Sequence, residues 1–500
     1  MFKCSQMFSD NMVLQRDKVI AVWGTGDDGE LISAVIGDHK AECVIKNGKW
    51  RCFLPPMQAE DGLTLIVSNG KNSVRFTDVA IGEVWLLGGQ SNMELELQNS
   101  KDGAEYLSKL DQGVPIRYYY MPKVASAEEA EAQGEHTAWT KAGSDSSRNW
   151  SAVGFHFANK LSKELGVVVG LIGCNWGGSS ASCWVDRSVL ETDRRLYPYI
   201  LEYDQSIADK SLEQQRAEYD EYVEYDTDWF IRSQEIMSKE PDITWQELEK
   251  RLGKNKWPGP KNSFNPFRPA NMYENMLMRA CPYTIKGFLY YQGESDDHKP
   301  ESYYTLLTAL ISKWREKWGD DTLPFIMVQL PMFQYAGEED KKHWCKIRSA
   351  QMKAFRTVKN TGIAVILDCG EFNEIHPKDK LPVGERLCLQ AEKLFYGMDD
   401  VEAFGPMFKN CVFHGVTAEV NFDYCFDFKS NGKITGFELA GEDGVFHEAS
   451  AILGGGQALV TCKQVTKPTA VRYQWTNYAE VTVFGSNGLP MAPFSTVDEV

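Results

Sequence analysis

The stretch EVWLLGGQSNMELE, residues 83–96, decides the fold of this 500-residue chain. Its apolar run at residues 84–87 is typical of a buried strand, and the run stops at Gly88 and Gly89 before a single hydroxyl at Ser91. Glycine permits a sharp turn and lets the backbone approach a ligand closely. The stretch therefore predicts a strand that ends in a turn. Two interpretations of Ser91 remain open at this point, a helix N-cap and a nucleophile that faces a cleft.

Five further apolar runs follow at intervals along the chain: IRYYYM, VVVGLIGC, IKGFLYYQG, PFIMVQLP and IAVILDCG. Several are separated by helical patterns such as FHFANKLSKEL, YYTLLTALISKWREKW and WCKIRSAQMKAF. Near-continuous apolar strands that alternate with amphipathic helices predict an α/β fold with a doubly wound, mostly parallel sheet over residues 81–400. Ligands of such sheets bind beyond the carboxyl ends of the strands.

Shorter β-prone runs occupy both ends of the chain. Residues 1–80 alternate such runs with turn signals and predict a β-sandwich-like domain, and residues 401–500 predict a second β-rich domain. An acidic, aromatic segment at about residues 190–265 predicts a helical insertion in the central domain. This segment is either a solvent-exposed helical insertion or a lid or wall of the substrate site.

Composition limits the classes of partner. Apolar residues make up 43% and charged residues 25% of the chain, as in globular proteins, and the formal net charge is −17. This charge disfavours nucleic acid and anionic membranes as partners, because both reward clustered lysine and arginine. We find no run long enough to span a bilayer and no signal peptide pattern. We expect a cytoplasmic protein if the chain is complete as given, and a secreted or periplasmic one if a leader has been removed; the oligomeric state is not indicated.

The twelve cysteines are scattered and form no C-x-x-C pair, so most are expected to be reduced and buried. Cys43 and Cys52 are the best candidates for a disulfide. They flank VIKNGKWR, in which Asn47 and Gly48 predict a hairpin turn that would bring the two cysteines opposite each other.

Candidate site residues follow two more of the predicted strands. Gly177 and Gly178 lie in the loop after VVVGLIG, and Gln292 and Glu294 directly follow GFLYY. Backbone N–H groups or a glutamine amide can stabilise an oxyanion, and a glutamate can orient a histidine. Each segment taken alone is also compatible with an ordinary loop.

His376 follows the last strand and precedes a proline, and of the eight histidines it alone lies where a catalytic base is expected. A hydroxyl, candidate N–H donors, a carboxylate and this histidine at the strand ends of one sheet together predict acyl transfer.

With these residues the sequence resembles the SGNH hydrolase superfamily and, within it, the sialate O-acetylesterase family. The resemblance extends from FSDNMVLQRDK through IGEVWLLGGQSNMELE, GLIGCNWGGSSASCW and GFLYYQGESD to IHPKDKLPVGERL and AVRYQWTNYAEVTVFGSNGLPMAPF; the inserted helices are not matched. It implies an SGNH-type (flavodoxin-like) catalytic domain, hydrolysis of O-acetyl esters of sugars, and no metal or organic cofactor.

The resemblance also implies roles for individual residues. Ser91 would be the nucleophile and His376 the general base. The oxyanion would be held by the N–H of Ser91, an N–H of Gly177 or Gly178, and the side-chain amide of Gln292.

The sequence offers three candidates for the group that orients the histidine. Many members of the superfamily carry an aspartate three residues before the histidine, where this chain has Asn373. Glu294 resembles the acid of acetylxylan-type relatives and is the first choice, with Glu374 second. A Ser–His dyad oriented by a backbone carbonyl is the third possibility.

For the substrate, O-acetylated sialic acids are the first choice. Asp296 replaces the asparagine usual in sialate esterases, so acetylated xylan or pectin-type sugars are an alternative, and a non-catalytic glycan-binding protein is another. Arg268 is a candidate partner for a sialate carboxylate, although a structural surface arginine is the favoured interpretation.

Overall fold

The computed structural model describes residues 2–134, 137–240 and 243–497. Eight strands precede the first helix: β1 (Lys3–Cys4), β2 (Val13–Gln15), β3 (Ile20–Thr25), β4 (Leu31–Ile36), β5 (His39–Val44), β6 (Lys49–Leu54), β7 (Glu60–Ser68) and β8 (Ser73–Gly89). Strands β1, β3 and β6 form one sheet, whereas β5, β4 and β7 lie side by side and connect to β8.

The central strands are β9 (Ile116–Tyr120), β10 (Thr140–Lys141), β11 (Val169–Asn175), β12 (Gly287–Tyr291), β13 (Phe325–Gln329) and β14 (Thr361–Val365). With β8 they form the order β10-β9-β11-β8-β12-β13-β14, in which every neighbouring pair is parallel except β10 and β9. All six predicted apolar runs are strands of this sheet. Strands β2, β4, β5 and β7 join the same sheet through β8, so it is a large mixed sheet of eleven strands.

The helices are α1 (Ser91–Glu94), α2 (Gly103–Ser108), α3 (Ala127–Gly134), α4 (Ala152–Leu165), α5 (Arg187–Thr192), α6 (Tyr197–Ile207), α7 (Leu212–Lys239), α8 (Trp245–Leu252), α9 (Met278–Ala280), α10 (Pro300–Trp318), α11 (His343–Thr357) and α12 (Leu381–Phe395). Single 3₁₀ turns occur at Leu97–Asn99, Leu110–Gln112, Ala181–Trp184, Glu294–Asp296 and Leu367–Cys369, and a π-helical turn occurs at Tyr273–Leu277. Helices α5 to α8 occupy the predicted insertion.

Helices cover both faces of the parallel strands, which explains why the strands are apolar throughout. Leu87 of β8 contacts Gly154 of α4 on one face, and the next residue, Gly88, contacts Trp314 of α10 on the other. Every residue of β11, β12, β13 and β14 is buried. The sheet therefore holds its carboxyl ends in fixed positions between two helical layers.

The long strand β8 connects the N-terminal strands to the central sheet. Its first half pairs with β7 and β2, and its second half pairs with β11 and β12. Apolar residues of both regions belong to one continuous core. The division at residue 80, like the boundaries at 81–400 and 401–500 and the sandwich packing of the two ends, stays a prediction.

The C-terminal region consists of strands: β15 (Met407–His414), β16 (Thr417–Asp423), β17 (Phe428–Ser430), β18 (Phe437–Ala440), β19 (Phe446–Glu448), β20 (Ser450–Gly454), β21 (Gln457–Thr461), β22 (Ala470–Tyr473), β23 (Val483–Gly485) and β24 (Phe494–Ser495). They form the sheets β15-β16-β21-β20, β17-β23 and β19-β18-β22-β24. This region has a hydrophobic core of its own, which includes Val420, Leu439 and Tyr473.

The expected disulfide between Cys43 and Cys52 is wrong, since both cysteines are free thiols. The hairpin turn is present, with Asn47 and Gly48 at φ 54° and 71°. However, β5 pairs with β4 while β6 pairs with β3, so the two cysteines belong to different sheets. The Cys43 thiol still lies beside that of Cys52, whose pKa is raised by burial and by this neighbour.

Within the described residues, the helices are each too short or too polar to cross a membrane.

Candidate active site

Ser91 begins helix α1 directly after the sharp end of β8. Gly89 has a φ of +134°, and a Cβ at this position would lie 2.1 Å from the carbonyl oxygen of Tyr291 in β12. Only glycine fits so close to the neighbouring strand. Gln90 is the N-cap of α1, so Ser91 is the first helical residue and does not cap the helix. Its N–H therefore has no acceptor within the helix.

The hydroxyl of Ser91 contacts His376, which lies 285 residues further along the chain. The distance between Ser91 Oγ and His376 Nε2 is 2.8 Å. In the tautomer that carries its proton on Nδ1, the imidazole accepts the hydroxyl proton. Burial lowers the pKa of His376, while the carboxylate of Glu374 opposes that shift. The arrangement suits a histidine that takes a proton from a serine.

Glu374 is the carboxylate that contacts His376, although through the backbone. Its Oε1 accepts the backbone N–H of His376 at 2.7 Å. Asn373 has a φ of +63° and its Oδ1 accepts the N–H of Ala336, so this residue shapes the turn before the histidine. Among the described residues, no carboxylate accepts a hydrogen bond from Nδ1 of His376.

Glu294, the first choice from the sequence, is brought close to the site but faces Asn92. Its Oε1 accepts a hydrogen bond from Asn92 Nδ2 at 2.8 Å, and no hydrogen bond joins it to His376. Burial raises its pKa, against the opposing effects of Asn92 and Lys380. Neither Glu294 nor Glu374 thus holds the imidazole directly, and the identity of the orienting acid stays a prediction.

Lys380 completes a buried polar network beneath the Ser91–His376 pair. It is 1% exposed, and its Nζ donates to Asn92 Oδ1 at 2.6 Å. The amide of Asn92 also donates to the carbonyl of Ile375 at 2.9 Å. Burial lowers the pKa of Lys380 to about 8. The sequence analysis did not single out Lys380 or Asn92, although the lysine lies four residues after the histidine and the asparagine directly follows the serine.

The side-chain amide of Gln292 is fully buried and already engaged. Its Nε2 donates to Asp296 Oδ2 at 2.6 Å and to the carbonyl of Ser179 at 3.2 Å. Asp296 also accepts hydrogen bonds from Ser180 Oγ, Ala181 N and Tyr199 Oη. The structure therefore does not direct Gln292 toward Ser91, and its role as an oxyanion donor stays a prediction.

The glycine loop after β11 lies against the serine. A Cβ on Gly177 would lie 3.3 Å from Ser91 Cβ, and the Gly177 N–H donates to Glu94 Oε2 at 2.6 Å. Glu94 in turn forms an ion pair with Lys123. The N–H of Gly178 donates no hydrogen bond within the part of the chain that the structure describes. Of the two glycines, Gly178 is thus the one with an available N–H.

Arg268 is half-buried within the loop that follows the insertion. Its guanidinium donates to the backbone carbonyls of Ala125 and Asn265, and burial lowers its pKa. These contacts are those of a structural arginine. His136, one of the seven other histidines, lies outside the described residues.

Two comparisons of sequence place the chain among carbohydrate esterases. The profile of a family described as "Carbohydrate esterase, sialic acid-specific acetylesterase" matches residues 81–215 and 257–380, together just over half of the chain. The mouse (Mus musculus) sialate O-acetylesterase is 25% identical over 462 residues, which cover 85% of this chain and 79% of the mouse protein. The human (Homo sapiens) sialate O-acetylesterase is 23% identical over 441 residues, with 81% and 73% covered.

A solved structure agrees with these matches. The crystal structure of a carbohydrate acetylesterase from Xanthomonas citri is 27% identical and superposes with a TM-score of 0.79 over the full length of both chains. The stretch between the two matched segments, residues 216–256, contains most of α7 and all of α8.

Proposed function

Since the chain belongs to the sialic acid-specific acetylesterase family of carbohydrate esterases, we propose that it is a serine esterase that acts through an acyl-enzyme. It is a carboxylic ester hydrolase, and the chemistry of its family is the deacetylation of sugars. The observation that carries the serine mechanism is the 2.8 Å contact between Ser91 Oγ and His376 Nε2. The parallel order of strands β9, β11, β8, β12, β13 and β14 supports an SGNH-type sheet as the scaffold.

The reaction begins when Ser91 Oγ attacks the acetyl carbonyl carbon and its proton passes to His376 Nε2. The tetrahedral intermediate collapses, the C–O bond to the sugar breaks, and the sugar oxygen takes the proton from His376. Water then attacks the acetyl-serine with His376 again as the base. Acetate leaves, and the serine regains its proton.

The oxyanion of each tetrahedral intermediate needs hydrogen-bond donors that are already in place. The N–H of Ser91 is unpaired at the start of α1, and that of Gly178 has no acceptor among the described residues. We propose these two N–H groups as the donors. Gly177 and Gln292 would first have to leave their present acceptors, Glu94 and Asp296.

We propose Glu374 as the carboxylate that acts on His376. Its charge raises the pKa of the imidazole, whereas Glu294 is directed to Asn92 and Lys380. This supports a Ser–His pair in which Glu374 favours the imidazolium and holds the loop through the His376 N–H.

For the substrate, O-acetylated sialic acids remain the first choice and acetylated plant glycans the alternative. Asp296, the residue on which the alternative depended, is fully buried and bonds only to internal donors. A sialate carboxylate needs a cation, and Arg268 is occupied by backbone carbonyls. Lys101 and Lys378, which border one hollow together with Asp379 and Pro382, are the substitutes that we propose.

The function is tested by acetate release from O-acetylated sialic acids, acetylated xylo-oligosaccharides and pectin fragments, together with hydrolysis of p-nitrophenyl acetate. We expect Ser91→Ala and His376→Ala to abolish turnover. Ser108→Ala is the control, because this exposed hydroxyl bonds only to Glu105 in its own helix. Equal hydrolysis by wild type and Ser91→Ala would refute the serine mechanism. Cleavage of xylo-oligosaccharides alone would refute the first choice of sugar and leave the chemistry intact.

A further inference from the structure

Trp257 is exposed next to the glycine loop that contacts the candidate nucleophile. Of the tryptophans in the chain, which all lie within the described residues, Trp245 and Trp257 alone rank as exposed, each at 45%. Trp245 packs on Trp229 in the insertion. Trp257 instead belongs to an aromatic wall that consists of Trp176, Phe267 and Trp257, with ring centroids 5.7 Å and 5.4 Å apart.

The aromatic wall lies directly against the glycine loop. A Cβ on Gly178 would lie 2.1 Å from Cζ2 of Trp257, and a Cβ on Gly177 would lie 3.3 Å from Ser91 Cβ. Because consecutive Cα atoms are about 3.8 Å apart, the edge of the Trp257 indole lies at most about 12 Å from Ser91 Cβ. A sugar ester whose alcohol portion extends from Ser91 along the glycine loop would meet this ring.

The loop that carries Trp257 is held in place by hydrogen bonds rather than by burial of the ring. Asn265 Nδ2 donates to the carbonyls of Pro258 and Pro260 at 2.8 Å and 2.9 Å. The backbone N–H of Trp257 donates to Asn255 Oδ1 at 2.7 Å, and Tyr225 Oη donates to the carbonyl of Lys254 at 2.8 Å. An exposed aromatic side chain that is already held in place loses little conformational entropy when a ligand binds.

We propose that Trp257 forms a carbohydrate subsite, in which its exposed indole stacks on a sugar ring of the acetylated substrate. The inference rests on the proposed function and adds to it a residue that selects sugar esters over simple esters. The π face of an indole is electronegative and attracts the C–H groups on the face of a pyranose ring. Single exposed hydrophobic residues are common on protein surfaces, but this one is anchored and borders the reactive serine.

The inference is tested with Trp257→Ala, Trp257→Phe and the matched control Trp245→Ala. Kinetics are measured on p-nitrophenyl acetate, 9-O-acetyl-N-acetylneuraminic acid and acetylated xylo-oligosaccharides. We expect Trp257→Ala to lower kcat/KM for the sugar ester it cleaves best about tenfold more than for the aryl ester, mainly through KM. Trp257→Phe should recover part of the loss, and Trp245→Ala should change neither ratio.

Binding without turnover separates this inference from the proposed function. Calorimetric titration of Ser91→Ala with the same sugars should show an affinity that falls when Trp257→Ala is added. Equal losses on the aryl ester and the sugar ester, the same effect from Trp245→Ala, or sugar affinity independent of Trp257 would each overturn the subsite. Loss of the Ser91 dependence in the kinetics would instead overturn the proposed function.

Discussion

The carboxylate of Glu374 lies 2.7 Å from the backbone nitrogen of His376, and its negative charge stabilises the protonated imidazole of the same residue. Burial lowers the pKa of His376, and Glu374 raises it in opposition. Removal of this charge by Glu374→Gln should therefore lower the pKa further. Since the base must be neutral to accept a proton, we expect the acidic limb of the kcat/KM profile to move to lower pH.

The control for this prediction is Glu294→Gln. Glu294 is not among the charges that act on His376, so its removal should leave the acidic limb where it is in the wild type. Profiles are recorded with p-nitrophenyl acetate between about pH 4 and pH 8, around the ordinary histidine pKa of about 6.5. If Glu294→Gln moved the limb and Glu374→Gln did not, the acid chosen first from the sequence would be the correct one.

Much of the fold, and the pair at the centre of the site, could be predicted from the sequence. Apolar runs that alternate with amphipathic segments define a helix-covered parallel sheet, and strand ends in such a sheet meet at one edge. This reasoning brought Ser91 and His376 together although 285 residues separate them.

The directions of side chains in the loops could not be predicted in the same way. Gly293 has a φ of +148°, and the 3₁₀ turn that follows directs Glu294 toward Asn92. Motif spacing contains no information about that backbone angle. For the same reason the sequence did not show that Gln292 bonds to Asp296, or that the buried Lys380 lies beneath the Ser91–His376 pair.

The close contact between Gly89 and Tyr291 predicts a large loss of stability for Gly89→Ala. A methyl group would meet the Tyr291 carbonyl oxygen at 2.1 Å in a backbone region that disfavours side chains. We expect a loss of about 2–5 kcal/mol in the free energy of unfolding, measured by urea denaturation. Gly166→Ala is the control, because φ there is +65° with no atom within 4 Å. Equal losses in both variants would show that strain alone, without the clash, sets the cost.

The four hydrogen bonds accepted by Asp296 predict that Asp296→Asn destabilises the protein. An amide group would place an NH₂ where a carboxylate oxygen now accepts two donors, for example Ala181 N and Gln292 Nε2. We expect a loss of about 3 kcal/mol in the free energy of unfolding, with the ratio of sialate to xylo-oligosaccharide cleavage unchanged. The neighbouring variant Asp297→Asn should cost less. A changed substrate ratio without a loss of stability would mean that Asp296 acts on the sugar.

Because Lys380 is buried, we expect the free energy of unfolding to depend on pH between about 8 and 10.5. Its pKa is lowered from 10.5 to about 8, because burial disfavours the charged form more than Glu294 favours it. The unfolded chain therefore binds more protons than the folded one in this interval, and the folded state gains stability as pH rises through it. Lys380→Met lacks this gain, so the difference in unfolding free energy between wild type and variant should grow by up to about 1.4 kcal/mol per pH unit. Urea denaturation at several pH values measures this difference.

The exposed Lys101, paired with Asp379, supplies the control Lys101→Met, which should show no such growth below pH 10. A constant difference for Lys380→Met would show that the lysine stays charged when folded, and that its electrostatic attraction to Glu294 outweighs the cost of burial.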